Sequence, residues 1–357
     1  MATAPLFGFL DLLTAFNDRV ETVGVDLVNA ATQATLAEHN RQMDAVTSLF
    51  VTRTTDFKTR YRSAAAARLQ PLDDNGRARP ISLAGHYDLG FPIQSAGGAW
   101  GANFRARAKM TVAEVNTVLS TILTADRRWM RDHIFAALFD NVGWTFDDEE
   151  HGDLAIKGLA NSDTVEYLIQ AGADVGATDT HYLATADAIA DAADPFPAIY
   201  EELVEHPEND GDVIVFVPTN LKSATQALAS FVPENDPRLR VGSAITELIA
   251  QPGLSNVPGD FLGYHDAKLW VFEWRALPSG YIVATTTGGE RPVAMREEPE
   301  ASLQGFGARA ERDDFPFWEA QYTRYAGFGA WNRVGAVVQR IGNGTYAVPS
   351  GYAAPMS

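Results

Sequence analysis

From Thr47 to Ala108 the chain offers little with which to build a core, and a long capped helix follows soon after. Thr47–Tyr61 alternates threonine with apolar and charged residues in strand fashion. Then come Arg62-Ser-Ala-Ala-Ala-Ala-Arg68, the turn signal Asp73-Asp-Asn-Gly76, Pro80, Gly85, Gly90, Pro92 and Ser95-Ala-Gly-Gly-Ala-Trp-Gly101. A compact domain rarely keeps about 60 residues without a firm core of their own. The segment is therefore either a disordered insertion or an extended arm packed on a neighbour. The strand-like alternation and the aromatics Phe50, Phe57, Tyr61, Tyr87, Phe91 and Trp100 favour the arm.

The flanks read as helices. Residues 8–46 carry Leu12, Leu13, Phe16, Val20, Val23, Leu27 and Val28 at roughly helical spacing, weakened at Thr22 and Gly24, where a break is expected. One stripe with no partner nearby implies burial elsewhere, another subunit being one place for it. The stretch Thr111–Asn141 is a clearer helix. Thr111 and Glu114 form a capping box, Val112, Val115, Leu119, Ile122, Trp129, Phe135 and Leu138 recur at helical spacing, and Gly143 ends it. About 30 residues at about 1.5 Å each make a rod near 45 Å.

Beyond the rod, Thr145–Asp153 reads as an acidic loop, Thr164–Ile169 as a strand and Gly172–Gly176 as a turn. A helix over about 185–206 is broken at Asp194-Pro195 and Pro197. Asp212–Val217 is a buried strand, Pro218–Leu228 a helix and Ala244–Ala250 a short helix. Lys268–Trp274 and Tyr281–Thr286 flank Leu277-Pro-Ser-Gly280 and read as a hairpin. Pro292–Arg296, Phe317–Tyr325, Ala336–Ile341 and Thr345–Val348 are further strands.

Charge is unevenly placed. The net value is −18, but residues 1–110 carry +2, residues 111–357 carry −20, and residues 53–109 carry +6. A basic segment on an acidic body suits pairing with a copy of itself better than nucleic acid, because the body repels phosphate. Arg53, Lys58, Arg60, Arg62, Arg68, Arg77, Arg79 and Trp100 are the candidate intersubunit contacts. Cysteine is absent, which rules out disulfides and thiolate metal sites and fits a reducing cytoplasm. No apolar run is long enough to span a membrane. The start lacks the positive region of a secretion signal, and its beginning at Met1 argues against propeptide removal.

Catalytic patterns do not emerge. Gly242-Ser243 lacks the second glycine of a nucleophile elbow, and there is no P-loop. Gly305-Phe-Gly-Ala and Gly327-Phe-Gly-Ala lack the third glycine of a dinucleotide fingerprint and are expected to turn the backbone. His39, His86, His133, His151, His181, His206 and His265 are scattered. Asp147, Asp148, Glu149, Glu150, His151 and Asp153 lack calcium-loop spacing and read as a solvated loop. Tyr264-His265-Asp266 would put adjacent strand residues on opposite faces. Arg53 to Arg79 with Phe57 and Tyr61 look like a single-strand platform, yet no barrel follows. No catalytic, cofactor-binding or metal site is expected.

The order of parts now carries a resemblance. Phe104-Arg-Ala-Arg-Ala-Lys109 enters the long helix, and Phe315-Pro-Phe-Trp318, Tyr325-Ala-Gly-Phe-Gly-Ala-Trp-Asn-Arg333 and Val334–Ile341 close the chain. This resembles the Hong Kong 97-type fold of tailed-bacteriophage major capsid proteins. The resemblance implies an α+β fold with an N-arm (1–46), an extended β-hairpin E-loop (47–104) and a P-domain (105–190) with spine helix 111–141. An α/β A-domain (191–300), returning P-domain strands (301–327) and C-terminal A-domain strands (328–357) complete it.

It implies a homo-oligomer of pentamers and hexamers in an icosahedral head shell, part of the virion and assembled in the host cytoplasm. The shell would enclose double-stranded DNA without sequence-specific binding; the net charge of −18 adds the expectation of an acidic inner wall on which DNA slides. Portal, separate scaffolding and decoration proteins are the implied partners. The lysine–asparagine crosslink of one branch would need Lys58 with Asn332 or Asn343, and no pattern selects them. An encapsulin-like compartment shell shares the fold. A soluble α/β enzyme with an inserted arm is the reading from a different class.

Overall fold

The computed structural model describes residues 4–61, 69, 71–78, 86–170, 172–173, 179–233, 257–314 and 317–356. The short helix expected at Ala244–Ala250 lies outside them, as do Arg62, Arg68 and Arg79. In chain order, a 3-10 helix (Phe7–Ala15) precedes α1 (Val20–Val23), α2 (Val25–Thr47), β1 (Val51–Thr54), β2 (Lys58–Tyr61), β3 (Tyr87–Gly90) and β4 (Gln94–Asn103). Next come α3 (Phe104–Arg107), α4 (Val112–Phe139), β5 (Trp144–Asp148), β6 (Gly152–Ile156), β7 (Leu168–Ile169), β8 (Gly172–Ala173) and β9 (Tyr182–Thr185). Then α5 (Phe196–Val204), β10 (Val213–Val217), α6 (Thr219–Gln226), β11 (Phe231–Pro233), β12 (Asp260–His265) and β13 (Leu269–Glu273) follow. The last strands are β14 (Tyr281–Thr286), β15 (Val293–Glu297), β16 (Gly307–Asp314), β17 (Phe317–Ala330) and β18 (Ala336–Ile341). These elements form two compact units, Met1–Thr47, Ile93–Ile134 and Arg296–Gly327 in the first, and Ser48–Pro92, Phe135–Met295 and Phe328–Ser357 in the second.

The first unit is built on α2 and α4. Both halves of the capping box are made: the Thr111 N–H donates to Glu114 Oε2 at 2.9 Å, and the Glu114 N–H donates to Thr111 Oγ1 at 3.3 Å. Val112, Leu119 and Leu123 of α4 are buried with Phe9, Val28, Ala31, Leu36, Phe306, Ala320 and Tyr322. The break near Gly24 is real; its φ of 106° is a left-handed conformation that favours glycine. Val28 of the N-terminal stripe is buried and Leu12, Phe16, Val20 and Val23 pack against this cluster within their own chain, which corrects for them the expectation of burial elsewhere, while Leu13 and Leu27 stay 53 and 57% exposed.

β4 pairs with β17 over ten positions, from Gln94 opposite Ala326 to Asn103 opposite Phe317, and β16 lies on the other side of β17. The ten-residue ladder pairs one edge of Gln94–Asn103 within its own chain, and among the described residues no second strand pairs with the other edge.

The second unit centres on a seven-stranded mixed sheet in the order β11-β12-β13-β10-β14-β18-β9. β10, the run Val213-Ile-Val-Phe-Val217, is buried along its whole length. A strand apolar on both faces belongs inside a sheet. It runs parallel to β13 and antiparallel to β14. The expected hairpin of Lys268–Trp274 with Tyr281–Thr286 is therefore replaced: β10 lies between them, and the hairpin partner of β13 is β12. Phe196, Ile199 and Leu203 of α5 pack into the sheet's core with Val215, Ile282 and Val337.

Other expectations also shift. The helix over 185–206 is only Phe196–Val204, and the strand over 164–169 is only Leu168–Ile169. Thr345–Val348 is not a strand; Tyr346 instead donates its hydroxyl to the Phe139 carbonyl at 2.8 Å. Gly327 and Gly329 lie inside β17 rather than in a turn, and a Cβ on Gly329 would sit 3.0 Å from the Gly90 carbonyl oxygen.

Candidate assembly surfaces and buried polar clusters

The core-poor segment divides in two. Its roots are anchored in the second unit: Phe50 is buried against Phe216 and Trp274, and Leu89 and Phe91 are fully buried beside Tyr61, Tyr87 and Trp331. The expectation that Thr47–Phe104 is completed only by adjacent copies is corrected to this extent. Between the roots, β2 and β3 form an antiparallel hairpin, Lys58 opposite Gly90 and Tyr61 opposite Tyr87, with the two tyrosine rings stacked. Farther out, Leu69 is 92% and Leu72 61% exposed.

The expected contact residues fall in different settings. Arg60 grips Asp88 with both ends of its fork, at 2.7 and 2.9 Å, and Lys58 stands 3.7 Å from the same carboxylate. The Arg60 hydrogen bond holds the Asp88 carboxyl below its ordinary range. Two of the basic residues are thus matched in their own hairpin. Arg53 is exposed on β1. Arg77 is exposed in a turn where the Asp73 carboxylate accepts from the Arg77 N–H at 2.8 Å. Trp100 is half-buried and lines a cavity of about 270 Å³ with Val28, Thr32, Met110 and Tyr322. Of the lysine–asparagine candidates, Asn332 is buried and Asn343 accepts from the Thr345 N–H at 2.9 Å.

A second surface lies at the N-terminus, where the sequence pattern points to Leu13 but not to Phe7 or Leu10. In the 3-10 helix, Phe7, Leu10 and Leu13 are 58, 48 and 53% exposed, while Phe9 is buried. Positions three apart eclipse one another in this helix, so the three side chains form one apolar ridge. The signal was the three-residue spacing, hidden by reading the segment with a period of 3.6.

Polar groups in the interior are mostly tied into supports. In the first unit, Arg324 of β17 donates to Asp126 of α4 at 2.6 and 2.8 Å, and His39 of α2 meets the same carboxylate at 2.7 Å. In the second, Arg333 is 1% exposed and reaches the Gly158 and Leu159 carbonyls and the Asp163 carboxylate. His265 brings Ser230 and Asp194 together, at 2.7 and 3.0 Å, but both lie on Nε2. Its Nδ1 accepts from the Ala267 N–H, so Nε2 carries the proton. A hydrolytic triad needs the carboxylate on one ring nitrogen and the hydroxyl on the other. This arrangement cannot take the serine proton.

The acidic residues around Asp148 occupy a β5–β6 hairpin rather than a loop, and Asp148 accepts from the Glu150 and His151 N–H groups. Metal-ligating atoms converge elsewhere, at Asp179, His181 and His206. The two histidines are 25 residues apart, so no spacing motif marked them. Beside them burial, then Asp179 and Glu205, push the Glu202 carboxyl up to about 8.

No protein-family model matches this chain, and neither does any curated protein. Among solved structures, a chain from Mycobacterium phage Patience aligns with 93% of this chain and 92% of its own length, at a TM-score of 0.68 and 18% identity. The capsid of a native GTA particle computed with C5 symmetry covers 84% and 90%, at 0.48 and 10%. The capsid of cyanophage P-SCSP1u covers 82% and 86%, at 0.49 and 8%. The first shows a shared fold along nearly the whole chain, and the α+β architecture is of the Hong Kong 97 type.

Proposed function

We propose that this chain is the major capsid protein of a tailed bacteriophage, a structural subunit that assembles into an icosahedral shell around double-stranded DNA. The observation that carries the reading is the fold shared with the Patience chain over 93% of this one. In this assignment the first unit takes the role of the P-domain, with α4 as the spine helix. The seven-stranded sheet and its helices take that of the A-domain. The β2–β3 hairpin takes that of the E-loop.

The surfaces support it. A subunit meant for a closed shell keeps apolar side chains for its neighbours. Phe7, Leu10, Leu13, Leu69 and Leu72 are of that kind. The buried charges support it too, because Arg324 and Arg333 are spent on backbone and carboxylate partners inside their own units. Portal, scaffolding and decoration proteins are the partners such a shell would take.

Expression of the full chain followed by negative-stain microscopy and light scattering tests the proposal. Closed particles tens of nanometres across are expected. A chain that stays monomeric or dimeric at every concentration and salt condition overturns it.

A further inference from the structure

The second unit holds a cluster that the shell role does not use. Asp179 and His181 flank Thr180, whose backbone bridges to Asn161. The His181 N–H donates to the Ala160 carbonyl, and the His181 carbonyl accepts from the Val338 N–H, both at 2.9 Å. His206 lies just beyond the C-terminal end of α5. The two imidazoles are 0 and 1% exposed.

Their rings are oriented by the backbone. His181 Nδ1 lies 2.8 Å from the Ala336 carbonyl oxygen and His206 Nδ1 3.0 Å from that of Leu168. A carbonyl can only accept, so each Nδ1 carries a proton. In neutral rings this aims both Nε2 lone pairs inward, and they face each other at 3.1 Å. Asp179 adds Oδ2 at 3.4 Å from His206 Nε2 and Oδ1 at 3.6 Å from His181 Nε2. Two facing lone pairs repel unless a positive charge lies between them.

The spacing suits a metal ion. Ligands bonded at about 2.0–2.1 Å stand about 3.4 Å apart around a tetrahedral ion. The two Nε2 atoms, 3.1 Å apart, and the Asp179 carboxylate, which presents Oδ2 to His206 at 3.4 Å and Oδ1 to His181 at 3.6 Å, are spaced near that value. Histidines that bind metal also donate their second ring N–H to a carbonyl or carboxylate, as both do here. We infer that Asp179, His181 and His206 form a buried site for a first-row divalent cation of the Zn²⁺ type, with Glu205, whose Oε1 stands 3.6 Å from His206 Nε2, and Glu202 as the carboxylates beside a fourth position. Imidazole and carboxylate donors fit that class, and a closed site implies a structural ion tying the end of α5 to the start of β9.

The test uses the full-length chain, treated with a chelator, dialysed, and titrated with Co²⁺ as a spectroscopic probe and Zn²⁺ as competitor. One Co²⁺ per chain should give the visible absorption of a four-coordinate site. Zn²⁺ should displace it and raise the melting temperature. His206→Ala should lose both signals, and His151→Ala, in the acidic hairpin, should keep them. No band and no thermal shift in the wild-type chain would overturn the site and leave a proton shared between the rings. Binding retained in His206→Ala, or lost in His151→Ala, would overturn its location. Should His206→Ala fail to fold, X-ray absorption of the Co²⁺-loaded wild-type chain decides, since any count other than two imidazoles contradicts the assignment. These outcomes do not depend on particle formation, so they stand apart from the shell proposal.

Discussion

Arg324 shows what a single residue contributes when its charge is buried. At 1% exposure it is held by both oxygens of Asp126, itself 6% exposed. Removing one partner leaves the other charge buried without its match, which costs about 3–5 kcal/mol. Arg324→Met should lower the unfolding free energy by that amount in a urea titration. Arg324→Met with Asp126→Leu should recover much of it, because a well-filled apolar pair avoids the lone charge. The same carboxylate sets a pH dependence. Burial alone would raise the Asp126 pKa, but hydrogen bonds from Arg324 and then His39 outweigh it and hold the group below its ordinary value. A carboxyl depressed in the folded state adds stability that is present above its unfolded pKa of about 3.9. That contribution is lost as pH falls through the lower folded value. Asp126→Asn should be less stable at neutral pH, and its stability should fall less steeply than that of the wild type as the solution is acidified below about pH 5.

At the scale of elements, local signals were legible and distant pairings were not. The start of α4 could be read because Thr111, Glu114 and the apolar period all lie within a few turns of one another. Thr111→Ala should cost about 1 kcal/mol, measured by chemical denaturation. The order β13-β10-β14 could not be read, because Leu277-Pro-Ser-Gly280 looks locally like a hairpin. What decides is the insertion of β10, a strand more than 50 residues upstream of β13 in register terms, with Val213 opposite Leu269. The Arg324–Asp126 pair, 198 residues apart, and the meeting of His181 with His206 were hidden for the same reason. No motif spans such a separation. Gly8 illustrates a contact that composition cannot reveal. A Cβ there would lie 2.0 Å from the Ala31 carbonyl oxygen, so the 3-10 helix rests on α2 through a glycine. Gly8→Ala should lift that helix from α2, seen as faster amide exchange over Phe7–Ala15 with the remainder of the chain unchanged.

For the whole molecule, the question is which force would join copies carrying a net charge of −18 each. The sequence suggested attraction between a basic arm and an acidic body. In the structure Lys58 and Arg60 already face Asp88, so two of the arm's cations are engaged within their own hairpin, although the net +6 of the segment, which counts Asp88, is unchanged. Like-charged copies repel one another, and the apolar ridge of Phe7, Leu10 and Leu13 supplies a contact that does not need charge. The two accounts predict opposite signs. Salt shortens the screening length from about 10 Å at 0.1 M to about 3 Å at 1 M. Charge pairing would weaken along that series, whereas apolar contact between repelling copies would strengthen. The fraction of chain in particles, followed by light scattering, should therefore rise with sodium chloride. Replacing Phe7, Leu10 and Leu13 together by aspartate should abolish particles at every salt concentration while leaving the far-ultraviolet dichroism unchanged, because these side chains face solvent in the isolated subunit. If assembly falls with salt and survives the triple replacement, arm and body are joined by charge after all, and the exposed cations Arg53 and Arg77 become the residues to substitute next.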